Sequence, residues 1–214
     1  MKKQSIASTI LGALALFVTS TSSAVPITDV QEYINNTATE FFVFDDDSKY
    51  DYPYYRDYSE DWGWVHDGIA GSDFSSIVLD ISAFDVDYDS GSSIYIGERD
   101  MIDVFDGSSW VSLGELDGSH DIWDFTTFDL TGYSWAEAQV NAGLQVRMDI
   151  DTLEEGWLVT LGRATLSVDG GDLVCVPTPG VPCETVEVPE PTGVVLLSLG
   201  LAGLGLSRRR RARN

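Results

Sequence analysis

The stretch Leu144-Gln145-Val146-Arg147-Met148-Asp149-Ile150 places an apolar side chain at every second position. Side chains of an extended chain alternate between two faces, so this pattern predicts a strand with one buried face and one wet face. Working outward, Ile77, Leu79 and Ile81 repeat the pattern, and Phe84, Val86 and Tyr88 alternate with Asp85, Asp87 and Asp89. Ile102 and Val104 run into Asp106-Gly107-Ser108-Ser109 and then Trp110 to Leu113, which predicts a hairpin closed by a glycine-containing turn. Phe41 to Phe44, Ile94 to Ile96 and Thr126 to Leu130 are further short strand candidates.

Trp157 to Val168 breaks the rule in an informative way. Trp157, Val159 and Leu161 share one parity, whereas Ala164, Leu166 and Val168 share the other. A β-bulge or a sheet-crossing bend at Gly162-Arg163 would return all six side chains to one core. Helix is sparse, with Trp135 to Val140 and Asp29 to Ala38 as the candidates. Many short strands separated by turns predict an all-β fold, an antiparallel β-sandwich of the jelly-roll kind. No internal repeat of 20–50 residues is visible.

The ends have a different character. Lys2 and Lys3, the apolar run Ile6 to Val18, and the small residues Ser22 and Ala24 have the order of a signal peptide over residues 1–24, cut by signal peptidase. At the other end Gly193 to Leu206 carries no charge and leads into Arg208, Arg209, Arg210, Arg211 and Arg213. The run is shorter than the ~20 apolar residues that span a bilayer comfortably, but flanking residues stretch it and arginines snorkel. A transmembrane sorting helix in the inner membrane is therefore expected, with the arginine cluster held in the cytoplasm.

Between the ends the balance is strongly acidic. All 35 Asp and Glu lie from Asp29 to Glu190, against five basic residues there: Lys49, Arg56, Arg99, Arg147 and Arg163. Such a segment repels nucleic acid and anionic lipid, which need clustered cations, and it favours solubility and cation uptake.

Val188-Pro189-Glu190-Pro191, the Gly/Leu-rich run and the terminal arginines together resemble the PEP-CTERM sorting signal of Gram-negative bacteria. In that resemblance Pro189, Glu190 and Pro191 are the signature tripeptide. It implies recognition by an exosortase, a membrane-embedded cysteine protease or transpeptidase, and release or transfer of the upstream domain. It also implies a host that makes an exopolysaccharide or biofilm matrix. The family shares a tail and not a fold, so it implies no activity for residues 25–187. The expected layout is a signal peptide (1–24), a β-sandwich domain (25–172), a proline-rich linker (173–187) and the sorting signal (188–214).

Cys175 and Cys183 are the only cysteines and bracket CVPTPGVPC. An oxidising compartment allows a disulfide closing this small loop; two free thiols or a bond to another chain are the alternatives.

Three stretches are candidate sites. Asp85, Asp87 and Asp89 before Ser90-Gly91 supply hard oxygens for a structural calcium, with Asp45, Asp46 and Asp47, or Asp149 and Asp151, completing the shell. The glycine is one place late for an EF-hand loop, and Ile96 stands where the twelfth-position glutamate belongs, so a solvated acidic face is the other reading. The loop Tyr52, Tyr54, Tyr55, Arg56 and Tyr58, followed by Trp62 and Trp64, offers rings to the apolar faces of sugars; the alternative is a loop whose rings pack on the domain. Glu98-Arg99-Asp100-Met101-Ile102-Asp103 resembles the E-x-D-x-x-E signature of laminarinase-type glycoside hydrolases, with aspartate in the last place. Retaining hydrolysis needs two carboxyls about 5 Å apart on one face, but in a regular strand 98 and 100 share a face that 103 does not. His66-Asp67 and His120-Asp121 read as surface turns.

These features predict an exported, non-enzymatic surface or matrix protein that binds extracellular polysaccharide. A secreted glycan hydrolase and a purely structural module are the competing readings.

Overall fold

The computed structural model describes residues 27–35, 39–60, 62–86, 97–154 and 156–186. The expected signal peptide and sorting signal lie outside the described residues, as do Asp87, Asp89 and Ile94 to Ile96. Among the described residues no helix is long and apolar enough to cross a membrane.

Among the described residues ten strands, one short α-helix and one 3-10 turn (Asp46–Ser48) follow one another. They are β1 (Ile27–Glu32), β2 (Trp62–Val65), β3 (Ile77–Phe84), β4 (Met101–Phe105), β5 (Trp110–Glu115), β6 (Trp123–Asp129), α1 (Ala136–Ala142), β7 (Gln145–Asp149), β8 (Thr160–Val168), β9 (Leu173–Val174) and β10 (Glu184–Thr185). Two antiparallel four-stranded sheets result, ordered β1-β8-β3-β6 and β2-β7-β4-β5, with β9 and β10 as a separate small hairpin. The pairs β1 with β8, β2 with β7, β3 with β6 and β4 with β5 are those of one long hairpin rolled up on itself.

The alternation in the sequence is what builds the core. Val146 and Met148 of β7, Ile102 and Val104 of β4, and Trp62 and Trp64 of β2 all turn inward from one sheet. They join Leu79 and Ile81 of β3, Leu161, Ala164, Leu166 and Val168 of β8, and Phe128 of β6 in a single hydrophobic cluster. Each buried Val, Leu or Ile there stabilises by about 1.5–3 kcal/mol relative to exposure.

The parity switch in β8 is resolved by a bulge. Arg163 lies opposite Ser82 and Leu161 opposite Ala83, so Gly162 has no residue facing it across the ladder. The extra residue returns Ala164, Leu166 and Val168 to the face that Val159 and Leu161 occupy, and all five are buried. Trp157, before the strand, is half-buried. A second register shift separates Ile102 from Asp103 along the β4–β5 ladder. The hairpin joining those strands closes as expected: the Asp106 carboxylate accepts from the amides of Ser108 and Ser109, both at 2.7 Å, and Gly107 takes φ +99°.

Three expectations are corrected. The helix expected from Asp29 to Ala38 is instead strand β1 over its first residues, because sheet pairing with β8 along six positions outweighs a weak local preference. Phe41 to Phe44 forms a turn and not a strand, although Phe42 and Val43 are buried and the Val43 amide donates to the Leu161 carbonyl at 3.0 Å. The alternation of Phe84 and Val86 with Asp85 is not that of a strand: β3 ends at Phe84, and Asp85, buried like Val86, adopts φ +65°, a left-handed conformation that aspartate tolerates, while Asp87, Tyr88 and Asp89 lie outside the described residues.

Residues 173–186 dock against the outer side of β8. Cys175 and Cys183 are disulfide-bonded. The Ser82 hydroxyl donates to the Pro177 carbonyl, and the Arg163 guanidinium donates to the carbonyls of Val181 (2.8 Å) and Thr178 (3.3 Å) and lies 3.0 Å from Cys183 Sγ. Arg163 is 1% exposed as a result. Burial lowers its pKa, and Glu32 at 3.6 Å offsets part of that. The Asp172 amide donates to Thr28 Oγ1 (3.1 Å) and the Val186 amide to the Asp172 carbonyl (2.9 Å), so this segment ends beside the start of β1.

Candidate functional site

The tyrosine-rich loop divides into a packed half and a presented half. Tyr54 stacks edge-on against Phe44 and Tyr33, with centroids 5.9 and 6.3 Å away. Tyr55 donates its hydroxyl to Asp85 Oδ2 at 2.8 Å; burial, then that hydrogen bond, push its phenol far above the usual range. Arg56 spends its cation on the domain. Its guanidinium lies over Trp62 (5.1 Å) and Phe41 (5.7 Å), its Nε donates to the Pro53 carbonyl, and its backbone bridges Val159. Trp62 and Trp64 are each 3% exposed in the core, because strand alternation turns both inward, so neither offers a ring to a ligand. Tyr50, Tyr52 and Tyr58 remain outside, with Tyr52 82% exposed. Tyr50 donates to Asp121 Oδ1 at 2.6 Å, and that bond helps push its phenol up to about 12.

The acidic candidates differ in the partners they take. Asp85 is buried, and its Oδ1 accepts from the Asp121 amide (2.9 Å) and contacts His120 Nδ1 (3.0 Å). Asp85, His120 and Asp121 bring one ligating atom each within 4.8 Å of one another, the one such group among the described residues. His120 and Asp121 are exposed in a turn, as the sequence suggested. Asp45, Asp46 and Asp47 stand elsewhere in role: Asp45 caps a single 3-10 turn, and Asp46 pairs with Lys49 (2.8 Å) and accepts from Trp123 Nε1 (2.6 Å).

His66 is not in a surface turn. It is 1% exposed, its Nε2 accepts from Trp64 Nε1 (3.2 Å), and its Nδ1 lies 2.8 Å from Asp29 Oδ2. Indole N–H is a donor only, so Nε2 is bare and the proton sits on Nδ1, donated to Asp29. Burial lowers the His66 pKa against the pull of Asp29. Burial alone would raise the Asp29 carboxyl, but hydrogen bonds from His66, Gln31 and the Asp67 amide hold it below its ordinary value. Partners from sequence-distant strands produced this burial, which is why the dipeptide His66-Asp67 misled.

Glu98, Asp100 and Asp103 do not form one site. Asp103 projects from the wet face of β4 and takes two bonds from Arg147 (3.0 and 2.7 Å), whose guanidinium lies 4.6 Å over the Trp110 ring. Glu98 and Asp100 point the other way and are 1% and 0% exposed. With them lies Asp151, also 0% exposed, whose amide donates to Asp100 Oδ1 at 2.9 Å. Burial pushes the Asp100 carboxyl up to about 7, reinforced by the charges of Asp151 and Asp149. The signal for this grouping was legible: Glu98 and Asp100 share the parity of Ile102 and Val104, the inward face of β4.

Residues 187–211 match the family model of the PEP-CTERM protein-sorting motif. The tail is a PEP-CTERM sorting signal. The match includes Pro189, Glu190, Pro191 and the arginines from Arg208 to Arg211, with Arg213 just beyond. A PEP-CTERM signal implies processing by exosortase and an exported protein of a Gram-negative bacterium. No curated protein matches the chain.

Proposed function

We propose that this chain delivers a non-enzymatic jelly-roll β-sandwich to the cell surface or extracellular matrix, where it binds extracellular polysaccharide. In this reading a signal peptide over residues 1–24 starts export, and the run before the arginines holds the tail in the inner membrane until exosortase acts. The rolled-hairpin pairing and the shared core of the two sheets support the sandwich. The observation that carries the binding reading is the exposed ring of Tyr52, with Tyr58 also exposed, on a loop whose other rings, Tyr50 included, are packed. A ring presented on a fixed loop covers a sugar face with little loss of freedom. The acidic surface favours an uncharged glycan over an anionic one.

The burial of Glu98 and Asp100 weighs against hydrolysis, since an acid/base pair must reach the glycosidic oxygen. Affinity electrophoresis of the full chain through gels cast with neutral or acidic exopolysaccharide tests the reading. Retardation by the neutral glycan is expected, and Tyr52→Ala with Tyr58→Ala should weaken it about tenfold at an unchanged melting midpoint. Equal mobility of wild type and variant in every gel would leave a purely structural module.

A further inference from the structure

Between the disulfide-closed loop and the turn that holds Phe44 lies a cleft of about 290 Å³. Tyr33 and Phe44 line it from the domain, Pro179, Val181 and Pro182 line it from the loop, and Glu32 is the charged residue among its walls. Both sides are fixed before anything binds. On the domain side the Val43 amide donates to the Leu161 carbonyl at 3.0 Å, and Tyr33, Phe44 and Tyr54 pack as three rings with centroids 5.3, 5.9 and 6.3 Å apart. On the loop side the disulfide closes the chain, and the Arg163 guanidinium holds the carbonyls of Thr178 and Val181. The Phe44 ring stays exposed all the same. The charges are balanced as well: Glu32 lies 3.6 Å from Arg163, whose other contacts are the two carbonyls and the Cys183 sulfur. A cationic ligand would compete with Arg163 for Glu32, and an anionic one would meet Glu32 and the acidic surface around it.

We propose that this cleft is a subsite for one neutral pyranose residue, an inference that rests on the polysaccharide-binding reading above. The Phe44 and Tyr33 rings cover the apolar C–H face of a sugar, and the Glu32 carboxylate accepts from its hydroxyls. The two prolines close the opposite wall with no rotamer freedom to lose. The volume lies at the low end for small-molecule sites, which suits one ring and not a run of them. Tyr54 joins the cleft to the loop that presents Tyr52 and Tyr58, so further units of the same glycan are the partners of those exposed rings. Arg163 is a positioning residue in this scheme: it touches no sugar and holds the loop wall in place.

The test uses the full chain and two readouts. Saturation-transfer NMR with methyl glycosides of neutral hexoses, with glucosamine and with glucuronate reads the cleft. Gels cast with neutral exopolysaccharide read the whole surface. Transfer to a neutral glycoside is expected, with weaker transfer to both charged sugars. Val181→Trp fills the cleft, so it should abolish that transfer and cut retardation in the gel about tenfold. Phe44→Ala removes the stacking face and should do the same; it decides the matter if the tryptophan variant fails to fold. Tyr52→Ala, outside the cleft, should lower retardation while leaving transfer to the glycoside unchanged. If wild type is retarded and folded Val181→Trp and Phe44→Ala are retarded equally, the subsite is overturned and the polysaccharide reading stands. Transfer to glucosamine or glucuronate as strong as to every neutral glycoside would likewise overturn the assignment. Wild type running unretarded in every gel would overturn both.

Discussion

Gly162→Ala probes the bulge and the docked segment together. A methyl group built on Gly162 would stand 2.7 Å from Ser82 Oγ, 3.0 Å from the Trp123 ring and 3.2 Å from the Pro177 carbonyl. Two of these neighbours are held by other bonds: Ser82 donates to Pro177, and Trp123 Nε1 donates to Asp46. Overpacking of a tight site costs about 1–3 kcal/mol, and a strained or broken Ser82–Pro177 bond adds about 0.5–1.5 kcal/mol. Reduced freedom of the unfolded chain returns about 0.4–1 kcal/mol. The net expectation is a loss of about 2 kcal/mol, or about 4–8 °C in midpoint for a domain of this size. Urea unfolding of the full chain, followed by tryptophan fluorescence, measures it. Gly132→Ala is the control, since a methyl there meets nothing within 4 Å, and it should be neutral or slightly stabilising. Adding Ser82→Ala to Gly162→Ala should cost less than the sum of the single changes, because it removes the nearest clashing atom. If Gly162→Ala is as stable as the control, the segment does not sit against the bulge and the packing argument fails.

Replacing both Cys175 and Cys183 by serine opens a loop of sequence separation 8; the expected loss is about 2–3 kcal/mol, read as a lower urea midpoint than the oxidised protein's, and equal midpoints would refute it. His66 predicts a pH effect whose sign follows from its lowered pKa. The unfolded histidine takes a proton below about pH 6.5 while the folded one resists it, so stability falls as pH drops through that value, by at most about 1.4 kcal/mol per unit. The raised Asp100 carboxyl acts in the opposite direction in the same window, so the comparison is with His66→Gln, whose stability relative to wild type should rise as pH falls from 6.5 to 5. Parallel curves for the two proteins would show that His66 is not the titrating group.

The parts of the fold that were legible are those governed by near neighbours along the chain. Val146 and Met148 alternate because β7 has one wet face, and the parity break at Gly162 reported a bulge before any partner strand was known. The turn at Asp106 announced itself through residues that bond their own backbone. What escaped was decided across the chain. Asp29 looked helical, yet it lies in an edge strand and receives a proton from a histidine 37 positions away. Trp62 and Trp64 suggested a sugar platform by their neighbourhood, but strand alternation turned both toward the core. Glu98 and Asp100 were read for spacing within a motif, when their parity with Ile102 already pointed them into the interior.

The docked hairpin also defines how force enters the domain. The sorting motif begins at residue 187, one position beyond the bond from Val186 to Asp172. Tension applied at the tail crosses from Cys183 to Cys175 through the disulfide and bypasses the seven residues between them. It then reaches β9 and, along the chain that precedes it, β8, which is laced to β1 on one side and β3 on the other. A domain suspended by that tail is thus loaded on an interior strand of its sheet, and the free edges are spared the peeling.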